Sequence, residues 1–252
     1  MQLKEIISII EKEFPKESAY EWDNVGLLVG DTKSEIKTVL VTLDITPFVI
    51  EEAIKNKAEL SLSHHPIMFD AAKTITPDTK DGKIILKAIK NNINIYAAHT
   101  NCDVGKNGIN EALASLFELK KAKILEENGL GRIGFLEKEM PAADFIKIVK
   151  EKLGIKMIRV CGDTKKTVKK IAIGSGACAD SIPLAKSKGA DLMLTADVKY
   201  HEMLDAEENG IIVVDAGHYA TEIIVMDIFE KVLEKKDIKI VKSKNKDAIK
   251  FM

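Results

Sequence analysis

Short apolar segments rich in β-branched residues alternate with stretches of helical periodicity along the whole chain. Residues 37–44 (KTVLVTLD) form one such segment, and Pro47 stands where a helix over 48–57 would begin. Strands that alternate with single helices indicate parallel βαβ units and an α/β fold. The same alternation predicts further strands near 59–63, 93–98, 132–137, 156–161, 168–174, 191–195, 211–215 and 237–241. It predicts the other helices near 3–14, 82–91, 107–117, 141–153, 178–188, 199–209 and 217–234.

Four of the five histidines lie in three short segments, each of which follows an apolar run. The segments are 63–66 (SHHP), 99–103 (HTNCD) and 218–222 (HYATE). In an open α/β sheet, ligands bind beyond the carboxyl ends of the strands, so these segments could converge on one site. Imidazole and carboxylate groups together suit zinc, iron, manganese or cobalt. The pattern predicts a metal site.

Two histidines that are adjacent in sequence need a special backbone to reach one ion. In a regular strand His64 and His65 would point to opposite faces, so both can face one site only where the strand has ended. Pro66 favours an extended, turning conformation at His65.

Two pairs of candidate ligands are each four residues apart. His218 and Glu222 would share one face of a helix, an arrangement that also suits a plain surface pair. His99 and Asp103 have the same separation, but Gly105 and the neighbouring Asn favour a loop there. An Asp after a strand is also common as a helix cap. A metal site is favoured because three segments with candidate ligands each follow a predicted strand.

The chain is long enough, at 252 residues, for two ordinary domains. We expect two α/β lobes with a metal-binding cleft between them. The first lobe, carrying the metal ligands, would comprise residues 1–125 together with 214–252, and the second would comprise 126–213. The return of the last helix to the first lobe is inferred from the chemistry of its residues.

Composition and charge exclude several classes of function. The formal net charge of −1, from 38 basic and 39 acidic residues, argues against a general binder of nucleic acid or of membrane surfaces. No apolar run approaches the roughly 18 residues that span a bilayer, and the N-terminus resembles an amphipathic helix rather than a signal peptide. The three cysteines contain no CxxC pair, which fits a reducing compartment. We expect a cytoplasmic protein.

Three other features allow two interpretations each. Residues 174–180 (GSGACAD) join a strand to a helix and form either an anion cradle or a plain turn. Residues 20–31 (YEWDNVGLLVGD) hold the only Trp and form either a wall of the cleft or a packed turn. Asp197 and His201 either contact substrate and transfer protons, or act as a helix cap and a surface histidine; they are not expected to bind metal.

Five segments together resemble the Nif-three-like family of dinuclear-metal proteins, commonly labelled homologues of a type 2 GTP cyclohydrolase I. The matching segments are WDNVGLLVGD at 22–31, SHHP at 63–66, HTNCDVGKNGIN at 99–110, GLGRIGF at 129–135 and DAGHYATE at 215–222. They span most of the chain. Many members of the family carry an inserted domain after the fourth segment, and this chain has the short form.

The resemblance implies two neighbouring divalent ions per chain, of iron, zinc or manganese. Glu222 would bridge both ions, and His99 would be a further ligand or a nearby proton carrier. The resemblance also implies a ring-shaped homohexamer built from dimers. The implied ligands are His64, His65, Asp103, His218 and Glu222.

Two functions follow from such a centre. The first is metal-dependent hydrolysis of a nucleotide or related small molecule, with His99 or His201 as the general acid or base. The alternative is an iron-binding metallochaperone that delivers metal for cofactor assembly. An enzyme needs a preorganised substrate site, whereas a carrier needs one weakly held ion.

Overall fold

The computed structural model describes residues 1–234 and 236–250. The helices, in chain order, are α1 (Leu3–Glu13), α2 (Pro47–Asn56), α3 (Lys80–Lys90), α4 (Thr100–Val104), α5 (Ile109–Leu116), α6 (Ala142–Leu153), α7 (Ile182–Ser187), α8 (Tyr200–Glu208), α9 (His218–Glu222) and α10 (Val225–Leu233). The strands are β1 (Gly26–Val29), β2 (Thr38–Thr42), β3 (Leu60–Ser63), β4 (Asn94–Ala97), β5 (Lys120–Ile124), β6 (Arg132–Pro141), β7 (Arg159–Cys161), β8 (Thr167–Ile173), β9 (Leu192–Thr195), β10 (Ile212–Asp215) and β11 (Lys239–Lys242).

The chain forms two compact units, each with its own sheet. Unit 1 comprises Met1–Gly105 and Val225–Lys246, and unit 2 comprises Lys106–Ile224 together with residues 247–250. Both units combine helices with a mixed sheet, which confirms the predicted α/β class. No helix within the described ranges has the length and apolar character that a membrane crossing requires.

The sheet of unit 1 has the strand order β1-β4-β3-β2-β11. Strands β11, β2, β3 and β4 are parallel, and β1 pairs with β4 in the antiparallel sense. Every residue of β2, β3 and β4 is buried, as expected of apolar strands covered on both faces by helices. Helix α2 follows a cap at Thr46, whose hydroxyl accepts a hydrogen bond from the amide of Val49, and Pro47 occupies its first turn.

The sheet of unit 2 has the strand order β5-β6-β8-β9-β10-β7. Strands β8, β9 and β10 are parallel neighbours, and the pairs β5–β6, β6–β8 and β7–β10 are antiparallel. Apolar residues of β8, β9 and β10 pack with α7 and α8 into one core that includes Ala172, Met193, Val213, Ile182 and Ala206.

The unit boundaries differ from the expected lobes of 1–125 with 214–252 and of 126–213. Residues 106–125 belong to unit 2 because β5 pairs with β6 and α5 packs against β6 and β8. Residues 214–224 also belong to unit 2, because α9 directly follows the central strand β10. Of the predicted metal ligands, His218 and Glu222 lie in unit 2, not with the others in unit 1.

Two predicted elements need correction. The helix expected over 217–234 is two helices, α9 and α10, with a turn at 223–224 between them. Only α10 packs in unit 1, where it contacts α1, β2 and β11. The segment around Asp103, expected to be a loop, is the short helix α4, because the amides of Cys102 and Asp103 donate to the carbonyl of His99.

Candidate metal centre

Three histidines of unit 1 meet at one edge of its sheet. Strands β3 and β4 are parallel neighbours in which Ser63 pairs with Ala97, so their carboxyl ends lie side by side. The ring centroids are 5.0 Å apart for His64 and His65, 5.0 Å for His64 and His99, and 5.4 Å for His65 and His99. One nitrogen of each ring lies within 4.8 Å of the others, close enough for one metal ion. The predicted convergence of these two segments is confirmed.

A carboxylate joins this cluster from α4. The Oδ1 atom of Asp103 lies 3.6 Å from the Nε2 atom of His64, and both side chains are buried. Because α4 forms one helical turn, Asp103 and His99 return to the same side of the chain. Unit 1 thus brings together imidazole and carboxylate groups of the types that bind transition-metal ions.

Each histidine of this cluster directs its Nδ1 atom at an oxygen. The partners are the carbonyl of Ala98 at 2.9 Å from His64, Asp44 at 2.8 Å from His65 and Asp23 at 2.9 Å from His99. A carbonyl or an ionised carboxylate can only accept a hydrogen bond, so the ring proton of each histidine resides on Nδ1. The Nε2 atom then carries the lone pair that a metal ion requires.

Asp23 is the most firmly held of these acceptors. Its side chain is fully buried, and it accepts hydrogen bonds from the His99 ring and from the amide and hydroxyl of Thr100, at 3.0 and 2.5 Å. Burial by itself would raise the pKa of Asp23, but the hydrogen bonds from His99 and Thr100 and the attraction of His99 outweigh it and lower the pKa to about 2. Asp23 therefore stays ionised and fixes the orientation of His99.

In unit 2, as in unit 1, a histidine and a carboxylate meet at the carboxyl ends of neighbouring parallel strands. His218 follows β10, and Asp197 follows the neighbouring parallel strand β9. The Nδ1 atom of His218 lies 2.7 Å from Asp197, and its Nε2 atom lies 2.8 Å from Oε2 of Glu222. The expected pairing of His218 with Glu222 across one turn of helix is confirmed.

The loop after β8 leaves no room for a side chain beside Glu222. The amide of Gly176 donates to the Thr221 hydroxyl at 3.0 Å, and Gly176 has a φ of +55°. A Cβ atom at Gly176 would lie 1.9 Å from Oε1 of Glu222. The neighbouring amide of Ser175 donates to the Asn110 side chain, so both amides are already bonded within the protein, which favours the plain-turn interpretation of residues 174–180.

Asp197 and His201 lie in different surroundings, and the surface position expected of His201 in one interpretation is the one observed. Asp197 precedes α8 with a φ of +54° and accepts from His218, while Lys199 is the cap residue of that helix. His201 is exposed on α8, and its ring packs against Tyr200 with centroids 5.3 Å apart. The helix-cap interpretation of Asp197 is therefore wrong, and its role is to hold His218.

Sequence reasoning missed Asp23 and Asp44 as the partners that orient His99 and His65. Asp44 stands two residues beyond the end of β2, next in the sheet to β3, so its place after a strand was a usable signal. Asp23 lies 76 residues from His99 in sequence, and only the three-dimensional structure shows that the two side chains are in contact.

These features define an α/β protein whose histidine and acidic side chains, at the carboxyl ends of parallel strands, can hold a metal ion. The chain belongs to the Duf34/NIF3 (NGG1p interacting factor 3) family, whose sequence profile matches residues 1–248. It is 41% identical to a GTP cyclohydrolase 1 type 2 homolog of Clostridium perfringens, over the full length of both chains. It is 37% identical to the protein of the same name from Methanocaldococcus jannaschii, covering 96% of this chain and 98% of that one.

Solved structures share the fold over almost the whole chain. A Bacillus cereus protein related to NIF3 matches with a TM-score of 0.92 and 28% identity, covering 100% of this chain and 99% of that chain. Reduced HcgD from Methanocaldococcus jannaschii matches with a TM-score of 0.87 and 36% identity, covering 97% and 98%. These similarities confirm the family that the sequence segments indicated.

Proposed function

We propose that this chain binds two divalent metal ions and uses them to hydrolyse a nucleotide or a related small molecule. Glu222 is proposed as the ligand shared by both ions. The observation that carries the proposal is the common orientation of His64, His65 and His218, each with Nδ1 bonded to an oxygen acceptor. The proposed ligands are His64, His65, Asp103, His218 and Glu222.

The orientation of the histidines matches what metal binding demands. A metal-binding histidine characteristically donates its other ring N–H to a carboxylate or a carbonyl, which fixes the tautomer and makes the free nitrogen more basic. The three proposed ligand histidines have such a partner at 2.7–2.9 Å, and His99, proposed for proton transfer, is held in the same way by Asp23. The exposed His201, by contrast, packs on Tyr200. The donors are nitrogen and carboxylate oxygen, which suits iron, zinc or manganese.

In the proposed hydrolysis, some side chains would bind the metal ions and His99 would transfer protons. Bound divalent ions supply Lewis acidity, which polarises the group under attack and activates water at neutral pH. His99, held by the ionised Asp23, can accept a proton at its Nε2 atom and return it to a leaving group. Asp23 then stabilises the positive charge on the ring of His99.

The metal assignment is tested by elemental analysis of protein purified without oxygen or chelator. We expect close to two ions of iron, zinc or manganese per chain, and fewer in Glu222→Gln. Glu208→Gln, at an exposed position of α8, is the matched control and should keep both ions. Wild-type metal content in Glu222→Gln would overturn the proposed ligand set.

The hydrolase assignment is tested with a panel of nucleotides at stoichiometric metal. Turnover that collapses in Glu222→Gln but survives in Glu208→Gln would support it, and no turnover on any member of the panel would count against it. The catalytic role of His201 remains a prediction. If His201→Ala keeps both metal content and turnover, the acid–base role falls to His99 alone.

A metal carrier is the second candidate, and the exposure of one ligand favours it. The side chain of His218 is 31% exposed, whereas that of His64 is fully buried. A ligand at the surface is open to exchange with a partner or with a cofactor under assembly. Loss of one ion to a mild chelator within minutes, without turnover on the nucleotide panel, would favour the carrier.

The cellular location and the assembly also belong to the proposal. Cys102, Cys161 and Cys178 form no disulfide in the described part of the chain, which suits a reducing compartment such as the cytoplasm. We further propose that the chain assembles as a homohexamer.

A further inference from the structure

A buried carboxylate to which the proposed function gives no role stands at the end of β10. Asp215 is the last residue of that strand, and its side chain is only 6% exposed. It comes shortly before His218 in sequence and is not among the proposed metal ligands. A carboxylate that is removed from water needs hydrogen-bond donors around it, and those donors show what it holds in place.

Two of the donors are backbone amides of the two segments that meet at the contact of His218 with Asp197. The Oδ1 atom of Asp215 accepts from the amide of Gly217 at 3.0 Å, and Gly217 directly precedes His218. The Oδ2 atom accepts from the amide of Val198 at 3.2 Å, and Val198 directly follows Asp197. One carboxylate therefore ties the segment that carries the histidine to the segment that carries its acceptor.

The backbone of Asp197 needs such support. Asp197 has a φ of +54°. This left-handed conformation is unfavourable for a residue with a Cβ atom, and it persists where the surrounding structure imposes it. The amide that Asp215 accepts from belongs to the next residue, Val198, so Asp215 helps to hold Asp197 where it can accept from His218.

Arg159 supplies the charge that balances the buried carboxylate. It stands directly opposite Asp215 in the antiparallel pair of β7 and β10, and its Nη1 atom donates to Oδ2 of Asp215 at 2.9 Å. The Arg159 side chain is 57% exposed, so it compensates the carboxylate without adding a second fully buried charge. Asp215 thus has a charged donor and two amide donors, which together hold its side chain in one orientation.

We propose that Asp215 is a positioning residue of the candidate metal centre, with Arg159 as its counter-charge. Asp215 acts through the backbone of Asp197 and of His218. It keeps the two segments at the separation at which His218 donates from Nδ1 and leaves Nε2 for a metal ion. The inference rests on the proposed function, because Asp215 serves the centre only if His218 is a metal ligand.

Asp191 provides a matched control in the same sheet. Its Oδ2 atom accepts from the amides of Lys169 and Lys170, at 2.9 and 2.8 Å, and so links β8 to the start of β9. Asp191 lies at the amino end of these parallel strands, opposite to the end that carries His218. Asp191→Asn, like Asp215→Asn, removes the charge of a carboxylate that bonds two amides, but it does so away from the proposed ligands.

The test is zinc titration of chelator-treated protein, with thermal unfolding of the same metal-free variants. Because it disturbs the partner of a proposed ligand, Asp215→Asn should raise the Kd for zinc by about 10- to 100-fold. Asp191→Asn should lower the Tm and leave the Kd unchanged. Arg159→Met should also raise the Kd, and Arg159→Lys, which keeps the positive charge, should bind zinc more tightly than Arg159→Met.

Hydrogen exchange of the metal-free protein, followed by mass spectrometry, tests the same inference without metal. Exchange at the amides of Gly217 and Val198 should be faster in Asp215→Asn than in the wild type, and unchanged in Asp191→Asn. If Asp215→Asn fails to fold, the Arg159 variants decide the question, because Arg159 is exposed.

Weaker zinc binding in Asp215→Asn and Arg159→Met, with wild-type affinity in Asp191→Asn, would support the proposal. Unchanged affinity and exchange in Asp215→Asn and Arg159→Met, in protein that still binds zinc, would overturn it and leave the metal assignment standing. An equal loss of affinity in Asp191→Asn would also overturn it, because general destabilisation would then explain the effect. A wild-type protein that binds no zinc would overturn the metal assignment itself and the positioning role with it.

Discussion

Replacing Gly176 with Ala should separate the geometry of the proposed metal centre from ordinary loss of stability. A Cβ atom at this position would lie 1.9 Å from Oε1 of Glu222 and 3.1 Å from Nε2 of His218. Glu222 must therefore move out of its position for the variant to fold. The left-handed backbone, with a φ of +55°, adds a cost of about 1–2 kcal/mol for any residue with a Cβ atom.

Gly154→Ala provides the matched control for the backbone cost. Gly154 has a φ of +67°, and a Cβ atom there would have no neighbour within 4 Å. Both variants should lose about 1–2 kcal/mol, which corresponds to a fall in Tm of about 2–8 °C for a chain of this length. Only Gly176→Ala should displace a carboxylate from the centre.

The assay is metal binding to chelator-treated protein, measured by titration with zinc and by elemental analysis after dialysis. Losing the position of one ligand should weaken binding by at least about tenfold, the effect expected even for a disturbed neighbour of a ligand. Gly154→Ala should bind zinc as the wild type does. If Gly176→Ala also bound two ions with unchanged affinity, Glu222 would not be a ligand in the position that the structure gives it.

Four further predictions follow from the same geometry. Asp44→Asn removes the charged partner of His65 and should weaken zinc binding by about 10- to 100-fold in the same titration. Elemental analysis should find that Asp103→Ala loses one ion selectively, whereas Glu222→Gln loses both or keeps one at low occupancy. The pKa of Asp23 falls from 3.8 to about 2 on folding, so its ionised form should add about 2 kcal/mol to the free energy of unfolding above pH 3.8. This contribution should be lost as the pH falls towards 2. Urea unfolding of metal-free protein should show this loss of stability in acid, and the loss should be smaller in Asp23→Asn. Light scattering should give a mass of about 167 kDa for six chains of 27.8 kDa, and a monomer would exclude the hexamer.

The parallel strands could be predicted from sequence because their signal is local. Strands β2 (TVLVT) and β10 (IVVD) are rich in β-branched residues, β9 (LMLT) is apolar, and β3 (LSLS) alternates leucine with small serines; burial of all their positions follows from helices on both faces. The candidate ligands in the segments after β3, β4 and β10 could also be predicted, because each segment follows a recognisable strand. Local pattern and final fold agree at these elements.

Of the four edge strands, β7 and β11 overlap predicted segments, whereas β1 and β5 could not be predicted in this way. Strand β1 has only four residues and lies between Gly26 and Gly30, so its sequence is typical of a turn, and its pairing with β4 depends on distant residues. Strand β5 (KKAKI) is largely exposed and rich in lysine, and it is a strand because β6 offers it an edge. In both cases tertiary pairing overrides weak local preference.

The carboxylate partners of the histidines are distant from them in sequence, and the sequence alone does not show which acid meets which histidine. Asp44 and His65 are 21 residues apart, as are Asp197 and His218, and 76 residues separate Asp23 from His99. Such contacts depend on which strands become neighbours, and periodicity does not specify strand order. Once the order β2-β3-β4 and the order β8-β9-β10 are known, the first two pairs follow from adjacent strand ends.

The choice of partner for each histidine follows the cost of burying charge. His64 is fully buried and donates to a neutral carbonyl, so no second charge enters the core. His65 and His218 donate to the partly exposed carboxylates Asp44 and Asp197, whose charges remain in contact with water. Asp23 is the exception, because its carboxylate is fully buried. It is also the one that gains two further donors from Thr100, which compensate for the water that it loses. The added donors explain how the buried carboxylate of Asp23 can stay ionised beside His99.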